Sequence, residues 1–256
     1  MPKDANDPLR RRVALLWKTA AEPSRGPRPT LSLDRIAEAG ARIADAEGLE
    51  AVSMQRVARE LGYSTMSLYR HVPGKEQLVE VMMDSCAGTP PAADADDDEA
   101  DWRQEIETWV RALWDTYVRH PWMLRVPIGA PPIGPGQLAW FEAALRPLSR
   151  AGLREENLVS VVVFLLGAVR QFAAMSSDLA EARARGQVSA TEAEADYEAA
   201  LRDVVSAERF PMLAQLVHDG TFQPTGRPDS GMLDDLDFGV QRVLDGLESY
   251  LRRQET

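Results

Sequence analysis

The sequence of 256 residues lacks several features that whole classes of protein require. Its single cysteine, Cys86, excludes an internal disulfide and a cysteine-cluster metal site. Its longest apolar run, LVSVVVFLLGAV at 158–169, has 12 residues, whereas a membrane-spanning helix needs about 20. The apolar run near the N-terminus is too short for a signal peptide. We therefore expect a cytoplasmic protein that does not span a membrane.

Residues and motifs for catalysis are also scarce. The chain has three histidines, and it carries no P-loop, GxGxxG turn, HExxH, GxSxG or paired-cysteine motif. Its many carboxylates are not accompanied by a Glu-x-x-His pair. We expect no enzymatic activity, no cofactor and no metal site. A helical enzyme that uses carboxylates alone stays open as an alternative.

Composition and charge indicate the fold class and a difference between the two ends. Strand-like alternation is scarce and Ala, Leu, Glu and Arg dominate, which predicts an all-α fold. The formal net charge is −11. Residues 1–86 nevertheless carry 13 basic and 12 acidic groups, whereas residues 87–256 carry 16 arginines and 28 acids. The front of the chain can therefore tolerate a phosphate backbone.

Four segments follow from the composition. Residues 1–30 hold five prolines, seven basic and three acidic residues, and predict a flexible basic arm in which RRRVALLWKTA is able to form a turn or two of helix. Residues 31–87 predict a compact helical domain. The segment 88–101, GTPPAADADDDEAD, predicts an acidic linker. Residues 102–256 predict a second helical domain, with helices at 136–150, 155–178, 190–206, 208–218 and 233–253 and polar loops at 180–188 and 220–231.

Small polar residues and glycines mark the helix ends in 31–87. Ser32, Ser53 and Ser64 are predicted N-caps, and Gly48 and Gly62 are predicted C-caps. The result is three short helices with a glycine-centred turn between the second and the third, which is the helix-turn-helix layout. In that layout the last helix enters the major groove of DNA.

The third helix, STMSLYRHV, places short polar and thioether groups at its front and longer hydrogen-bond donors behind them. The former suit base edges and the thymine methyl, and the latter suit phosphates. On spacing alone, an amphipathic helix that does not bind DNA, with Tyr69 closing the small core, stays open. The candidate DNA-contacting residues are Ser53, Gln55, Arg56, Ser64, Thr65, Met66, Ser67, Tyr69, Arg70, His71 and Lys75.

The run from Leu31 to Cys86 resembles the DNA-binding domain of the TetR family of bacterial transcriptional repressors. The matching parts are EGLEAVSM, VARELGYS and SLYRHVPGKEQL, in which a Leu-Tyr pair, a histidine and the lysine that begins the fourth helix have the family's order and spacing. The resemblance implies phosphate contacts at Tyr69 and Lys75. It implies base or backbone contacts at Gln55, Thr65, Met66, Ser67, Tyr69 and His71.

The segment 119–153, which begins RHPWM and ends RVPIGAPPIGPGQLAWFEAALRPLSRAGL, resembles the tetracycline-repressor-type C-terminal domains of actinobacterial regulators. The resemblance implies a domain for effector binding and dimerisation. The segments 157–175 and 233–253 are candidates for a homodimer interface, because the first is apolar nearly all round and the second has a continuous leucine stripe. Internal core is the alternative for both.

Aromatic side chains concentrate in residues 102–175 and suggest a pocket for a small, largely apolar effector. An aromatic stripe at helical spacing is equally typical of plain core. The candidates for effector contact are Trp109, Leu113, Trp114, Tyr117, Trp122, Met123, Trp140, Phe141, Phe164, Gln171, Phe172 and Met175.

Together these patterns predict a repressor that binds a palindromic double-stranded DNA operator as a homodimer and is released by a small molecule. A transcriptional activator of the same fold is one alternative. A co-regulator that uses the front domain for protein contacts alone is another.

Overall fold

The computed structural model describes residues 7–17, 31–91, 101–224 and 231–254. These residues form α-helices and short 3₁₀ turns without a strand, so the predicted all-α class is confirmed. The helices are α1 (Pro8–Leu16), α2 (Leu33–Glu47), α3 (Met54–Leu61), α4 (Thr65–Tyr69), α5 (Lys75–Cys86), α6 (Trp102–Arg119), α7 (Pro135–Arg150), α8 (Glu155–Gly186), α9 (Ala190–Val204), α10 (Pro211–His218) and α11 (Gly231–Arg252).

The predicted caps begin and end the helices of residues 31–87, which we call the head. The side chains of Ser32, Ser53 and Ser64 each accept a hydrogen bond from the backbone N–H three residues further on. Gly48 and Gly62 have φ of 86° and 74°, in the left-handed region that favours glycine. Local chemistry therefore fixes where α2 and α3 end and where α4 begins.

A small apolar core holds the head together. α2 packs against both α3 and α5, and Ile36, Leu78 and Met82 are fully buried between them. α4 is anchored by Leu68 and, just after its end, by Val72, each 0% exposed. α4 ends at Tyr69, three residues before the predicted end at Val72, and Pro73 disfavours helical geometry at Val72. The short α4 is thereby held at a fixed position on the surface.

A regular helix, α1, occupies part of the segment that was predicted as a flexible arm. Its last two residues are buried, and Arg12 donates a hydrogen bond to the Glu80 carboxylate of α5 over 2.6 Å. Just after α1, the Trp17 indole N–H donates to the Ile133 carbonyl over 2.9 Å. Arg25 and Arg28 of the arm and residues 92–100 of the linker lie outside the described residues.

Packing divides the chain differently from composition. One unit comprises residues 1–170 and 246–256, and the other comprises residues 171–245. The first unit joins the head to α6 and α7, because α5 packs on α7 and the 3₁₀ turn Pro121–Arg125 packs on α2. The predicted division of the chain at the acidic linker stays a prediction.

The helices behind the head, which we call the body, mostly begin and end near their predicted bounds. The exception is α8, which continues through residues predicted as a loop and ends at Gly186. Its last turns, EARARG, contain good helix formers, and two arginines in the last turn suit the negative end of the helix dipole. α10 begins at Pro211 rather than residue 208, because proline favours the first helical position.

Candidate nucleic-acid interface

Two large side chains of α4 extend into solvent although the helix is only five residues long. Met66 is 71% exposed and Tyr69 is 46% exposed, while Leu68 between them is fully buried. Thr65 and Ser67 are half-buried on the same short helix. The buried anchor fixes the orientation of α4, so it presents an apolar thioether and a phenol outward.

Cationic and polar side chains surround this surface. Arg70 and His71 follow α4 and are exposed. Lys75 is the exposed first residue of α5, where its ammonium and the free backbone N–H groups of a helix N-terminus can both meet a phosphate. Gln55 is exposed in the first turn of α3. The head therefore places these predicted contacts on two adjacent helices and the start of α5.

Three predicted contacts remain, namely Ser53, Ser64 and Arg56, and each has a structural role within the head. The Ser53 and Ser64 hydroxyls accept backbone hydrogen bonds as N-caps, over 3.1 and 3.2 Å. The Ser64 and Ser67 hydroxyls lie 2.9 Å apart and hydrogen-bond to each other. A contact between these hydroxyls and DNA would therefore be made in addition to their hydrogen bonds within the head.

Arg56 is engaged within the head. Its guanidinium donates to Glu47, at the end of α2, over 2.8 Å and to Glu60 over 3.2 Å. The hydrogen bond with Glu47, together with the charges of both carboxylates, raises the pKa of Arg56 above its ordinary value. Arg56 therefore fastens α3 to α2. The sequence pattern missed this role, because Glu47 belongs to a different helix.

A buried carboxylate of α5 connects the head to the start of α7. Asp84 is 7% exposed and accepts backbone hydrogen bonds from Gln137 over 2.9 Å and Gly136 over 3.3 Å. Burial raises the pKa of Asp84, and the two backbone hydrogen bonds oppose that rise. A Cβ at Gly134 would collide with the Asp84 carboxylate, and one at Gly136 would collide with the Asp84 carbonyl. The two glycines permit this close approach.

A second carboxylate, on α2, makes the other connection. One oxygen of Asp45 accepts a hydrogen bond from the Trp122 indole over 2.7 Å and lies 2.9 Å from the His120 Nδ1. Trp122 is 3% exposed. A residue predicted to contact an effector therefore donates the only polar hydrogen of its side chain to the head. The sequence held no short-range signal for this pair, since Asp45 precedes Trp122 by 77 residues.

The predicted effector contacts differ widely in burial. Phe141 and Phe172 are half-buried, and Gln171 is exposed. Phe164 is 59% exposed and Met175 is 41% exposed. Gln171, Phe172 and Met175 belong to the second unit. The buried candidates are Trp109, Leu113, Trp114, Tyr117, Trp122, Met123 and Trp140.

Two tryptophans form the centre of the buried aromatic group. The Trp109 indole N–H donates to the Trp140 carbonyl over 2.9 Å, and their rings lie 6.2 Å apart at 59°. Trp140 in turn donates its indole N–H to the Ala87 carbonyl over 2.6 Å, immediately after α5. This aromatic group therefore reaches the end of the head.

An open cavity of about 290 Å³ lies within the second unit, between α9 and α10. The sequence predicted none of its lining residues, which are Arg202, Val205, Ala214, Val217 and His218. Among the residues that the structure describes, no group of three or more His, Cys, Asp or Glu side chains could hold a metal ion. Of the described helices, α8 alone is long and apolar enough to cross a membrane, judged by length and composition.

Two family models match the chain. The model described as "Bacterial regulatory proteins, tetR family" matches residues 36–82. The model described as "Tetracyclin repressor-like, C-terminal domain" matches residues 95–251. The first match contains α3 and α4, and the second begins before α6 and extends into α11.

Individual relatives agree with both models. The HTH-type transcriptional repressor DrrR1 of Streptomyces coeruleorubidus is 41% identical over 242 residues, which cover 94% of this chain and 86% of the relative. Apo ActR from Streptomyces coelicolor matches with a TM-score of 0.73 at 23% identity, covering 89% of this chain and 100% of ActR. ActR in complex with actinorhodin matches with a TM-score of 0.69 at 24% identity, covering 88% and 99%. The matches to ActR show a shared fold.

Proposed function

The chain belongs to the TetR family of bacterial transcriptional repressors, and from that premise we propose that it binds a palindromic operator as a homodimer and is released by a small molecule. The observation that carries the proposal is the surface of α4. Met66 and Tyr69 are exposed there while Leu68 anchors the helix, so a rigid, outward-facing set of side chains is available to a DNA groove.

In this proposal α4 enters the major groove. Met66 and Thr65 offer apolar groups to thymine methyls, and Gln55 offers an amide to an adenine edge. Tyr69 and Lys75 donate to phosphates on either side, which fixes the register of the helix without reading sequence. The near-neutral front of the chain supports this, because it does not oppose the approach of DNA as the acidic remainder would.

A homodimer is supported by the unsatisfied surface of α8. Val159, Val163 and Phe164 are each more than half exposed. Val159 and Val163 share one face of the helix, because they lie four residues apart, and Phe164 lies beside that face. Only 22% of the most apolar window of α8 is buried, so a second copy of the chain would remove a large apolar area from water. Two copies would also present two α4 helices to successive major grooves, about 34 Å apart.

A small effector in the body is supported by its aromatic content. The group around Trp109 and Trp140 is apolar, with polar atoms at few positions, which is the usual character of a ligand site. ActR, which has the same fold, has been solved with actinorhodin bound, so the fold can accommodate a small molecule. We infer a largely apolar effector and a cytoplasmic repressor.

DNA binding is tested by fluorescence anisotropy with the DNA upstream of the protein's own gene. We expect tighter binding to this fragment than to a scrambled one, and an affinity that falls steeply with salt because several phosphates are engaged. Light scattering should give twice the chain mass of 28.3 kDa. Equal affinity for the two fragments would reject the repressor function.

Release is tested by calorimetry with a ligand identified by thermal-shift screening of apolar aromatic compounds, with actinorhodin as the first probe. Ligand affinity should be lower in the presence of operator, because the coupling between two sites is reciprocal and typically about 1–3 kcal/mol. Equal ligand affinities with and without operator would leave a DNA-binding protein without a release mechanism.

A further inference from the structure

The 3₁₀ turn Pro121–Arg125 lies between the body and the head. α6 ends at Arg119, and His120 leaves helical geometry with φ of −127° and ψ of 66°. A short 3₁₀ turn makes few hydrogen bonds of its own, so its carbonyl oxygens need other donors. Which side chains supply those donors decides how firmly the turn is positioned.

Arg170, in the middle of α8, supplies them. Its guanidinium donates to the carbonyls of Met123 over 3.2 Å, Leu124 over 3.0 Å and Val126 over 2.7 Å. A guanidinium has five N–H donors in a rigid plane, which allows one side chain to hold three carbonyls in a fixed arrangement. The position of the turn therefore follows the position of α8 at Arg170.

The same turn holds the head through Asp45. The Trp122 indole and the His120 ring both contact one carboxylate oxygen of Asp45, near the end of α2. Hydrogen bonds to an ionised carboxylate are stronger than those between neutral groups. The turn is thus fixed by a cation of the body and by an anion of the head.

The connection continues to the helix that precedes α4. Two residues after Asp45, Glu47 binds the Arg56 guanidinium of α3 over 2.8 Å. α3 in turn packs against α4. Polar contacts thus lead from α8 through the turn to Asp45, the last turn of α2 joins Asp45 to Glu47, and Glu47 holds α3, which packs against α4.

We propose that Arg170 is a positioning residue that transmits the state of the body to the DNA-binding head through the turn Pro121–Arg125 and Asp45. The proposal rests on the ligand-responsive function proposed above. An effector that moves α8, or that competes for the Arg170 guanidinium, would free the three carbonyls. The turn would then no longer hold α2 in the orientation that suits the operator.

Tyr117 gives an effector a place to act on this connection. It is one of the buried aromatic candidates. Burial raises the pKa of Tyr117 and the positive charge of Arg170 opposes that rise, so the two side chains are neighbours. A ligand that packs against Tyr117 therefore contacts the immediate neighbour of the guanidinium. The effector pocket and the connection to the head would then meet at Tyr117 and Arg170.

The experiment is a double-mutant cycle on operator affinity in the full-length protein, with Arg170→Gln, Asp45→Asn and both together. Each single variant should weaken operator binding by about tenfold, within the usual range of coupling between sites. The double variant should be no weaker than either single one, because both remove the same connection. Arg150→Gln is the matched control, since Arg150 pairs with Glu105 within the body, and it should bind operator like the wild type.

The variant Arg170→Lys distinguishes loss of this connection from loss of the folded structure. Lysine keeps the positive charge but lacks the planar set of donors, so an intermediate loss of affinity is expected with little change in Tm. Hydrogen exchange in this variant should become faster at residues 123–126 and also near the C-terminal end of α2. Faster exchange confined to the turn would mean that Arg170 supports only local structure.

Three other results would overturn the proposal. They are wild-type operator affinity in Arg170→Gln, losses that multiply in the double variant, and an equal loss in Arg150→Gln. If the wild-type protein itself shows no preference for the operator, the proposed repressor function fails instead. The exchange measurement then still decides whether Arg170 and α2 are connected.

Discussion

Exposed apolar side chains occur in two regions, and their surroundings differ. On α4, Met66 and Tyr69 are exposed as separate side chains beside the cationic residues that follow the helix. On α8, exposed apolar side chains such as Val159 and Val163 share one face without a cation among them. Isolated apolar groups among cations suit a polyanion with methyl groups in its grooves. A continuous apolar face suits another protein surface.

The largest effect should come from the α4 surface. Tyr69→Ala or Lys75→Ala should abolish operator binding at concentrations that saturate the wild type, because each removes a proposed phosphate contact. Dimer mass and Tm should not change, since both side chains are exposed. Anisotropy and light scattering measure the two quantities on one sample.

Tyr197→Ala is the control for this prediction, because Tyr197 is 57% exposed on α9, and the variant should keep wild-type affinity. Operator binding retained in both head variants would mean that α4 is not the recognition helix. If these head variants lost both operator binding and the dimer, DNA binding and dimerisation could not be assigned to two separate regions.

The next largest effect should come from α8. Val163→Glu places a charge on the proposed dimer face, where burial of an unpaired carboxylate would cost several kcal/mol. The protein should become monomeric and should bind operator weakly, although the head is unchanged. Light scattering at increasing protein concentration measures the shift.

Val118→Glu provides the comparison, because Val118 is 61% exposed on α6, and this variant should remain a dimer. A Val163→Glu protein that stays dimeric would place the interface elsewhere.

An intermediate effect is expected where the head meets α7. Gly136→Ala should lower the free energy of unfolding by about 1–3 kcal/mol, because the added Cβ meets the Asp84 carbonyl. Urea unfolding gives the value. Gly129→Ala is the control, since an added Cβ there has no neighbour within 4 Å. Equal stability of the two variants would show that the contact between Asp84 and the start of α7 accommodates an added Cβ without loss of stability.

The smallest effect concerns α9, where Ser189 and Glu192 form a capping box. The hydrogen bonds from Ser189 lower the pKa of Glu192 below its ordinary value of 4.5. The contribution of the box to stability is therefore present above that ordinary value and is lost as the pH falls through the lowered pKa.

Circular dichroism during acid titration should show this loss in the wild type. The loss should be absent in Glu192→Gln, which has no carboxylate to protonate. Identical titration curves of the wild type and Glu192→Gln would mean that the Glu192 carboxylate does not stabilise α9.

The sequence predicted the head more completely than the body, for a physical reason. Caps such as Ser53 and Gly62 act on residues within the same turn, so a short window of sequence contains both partners. The end of α8 was misplaced, because residues typical of a solvated loop are also good helix formers when a long helix precedes them. The exposed set on α4 was predictable from its spacing around Leu68.

The contacts between head and body were not predictable. Asp45, Asp84 and Arg170 act on residues more than 40 positions away, and no local pattern marks an acceptor at such a distance. The pairing of Arg56 with Glu47 was not predictable either, because Glu47 lies on another helix, and the contact of Arg56 with DNA stays a prediction. An aromatic stripe has the same spacing whether it forms core or lines a pocket, so Trp122 was assigned by composition alone.

Asp45 and Asp84, the two carboxylates of the head that bind the body, also limit how the head and the body of this repressor can be exchanged with those of its relatives. A hybrid that keeps this body but takes its DNA-reading part from another regulator would need an acid in place of Asp45 and another in place of Asp84. The reverse hybrid would need an indole donor where Trp122 stands and small residues where Gly134 and Gly136 stand. To exchange DNA specificity between relatives, these few contact positions should therefore be matched between head and body, and the sequence of the operator-facing helix can differ.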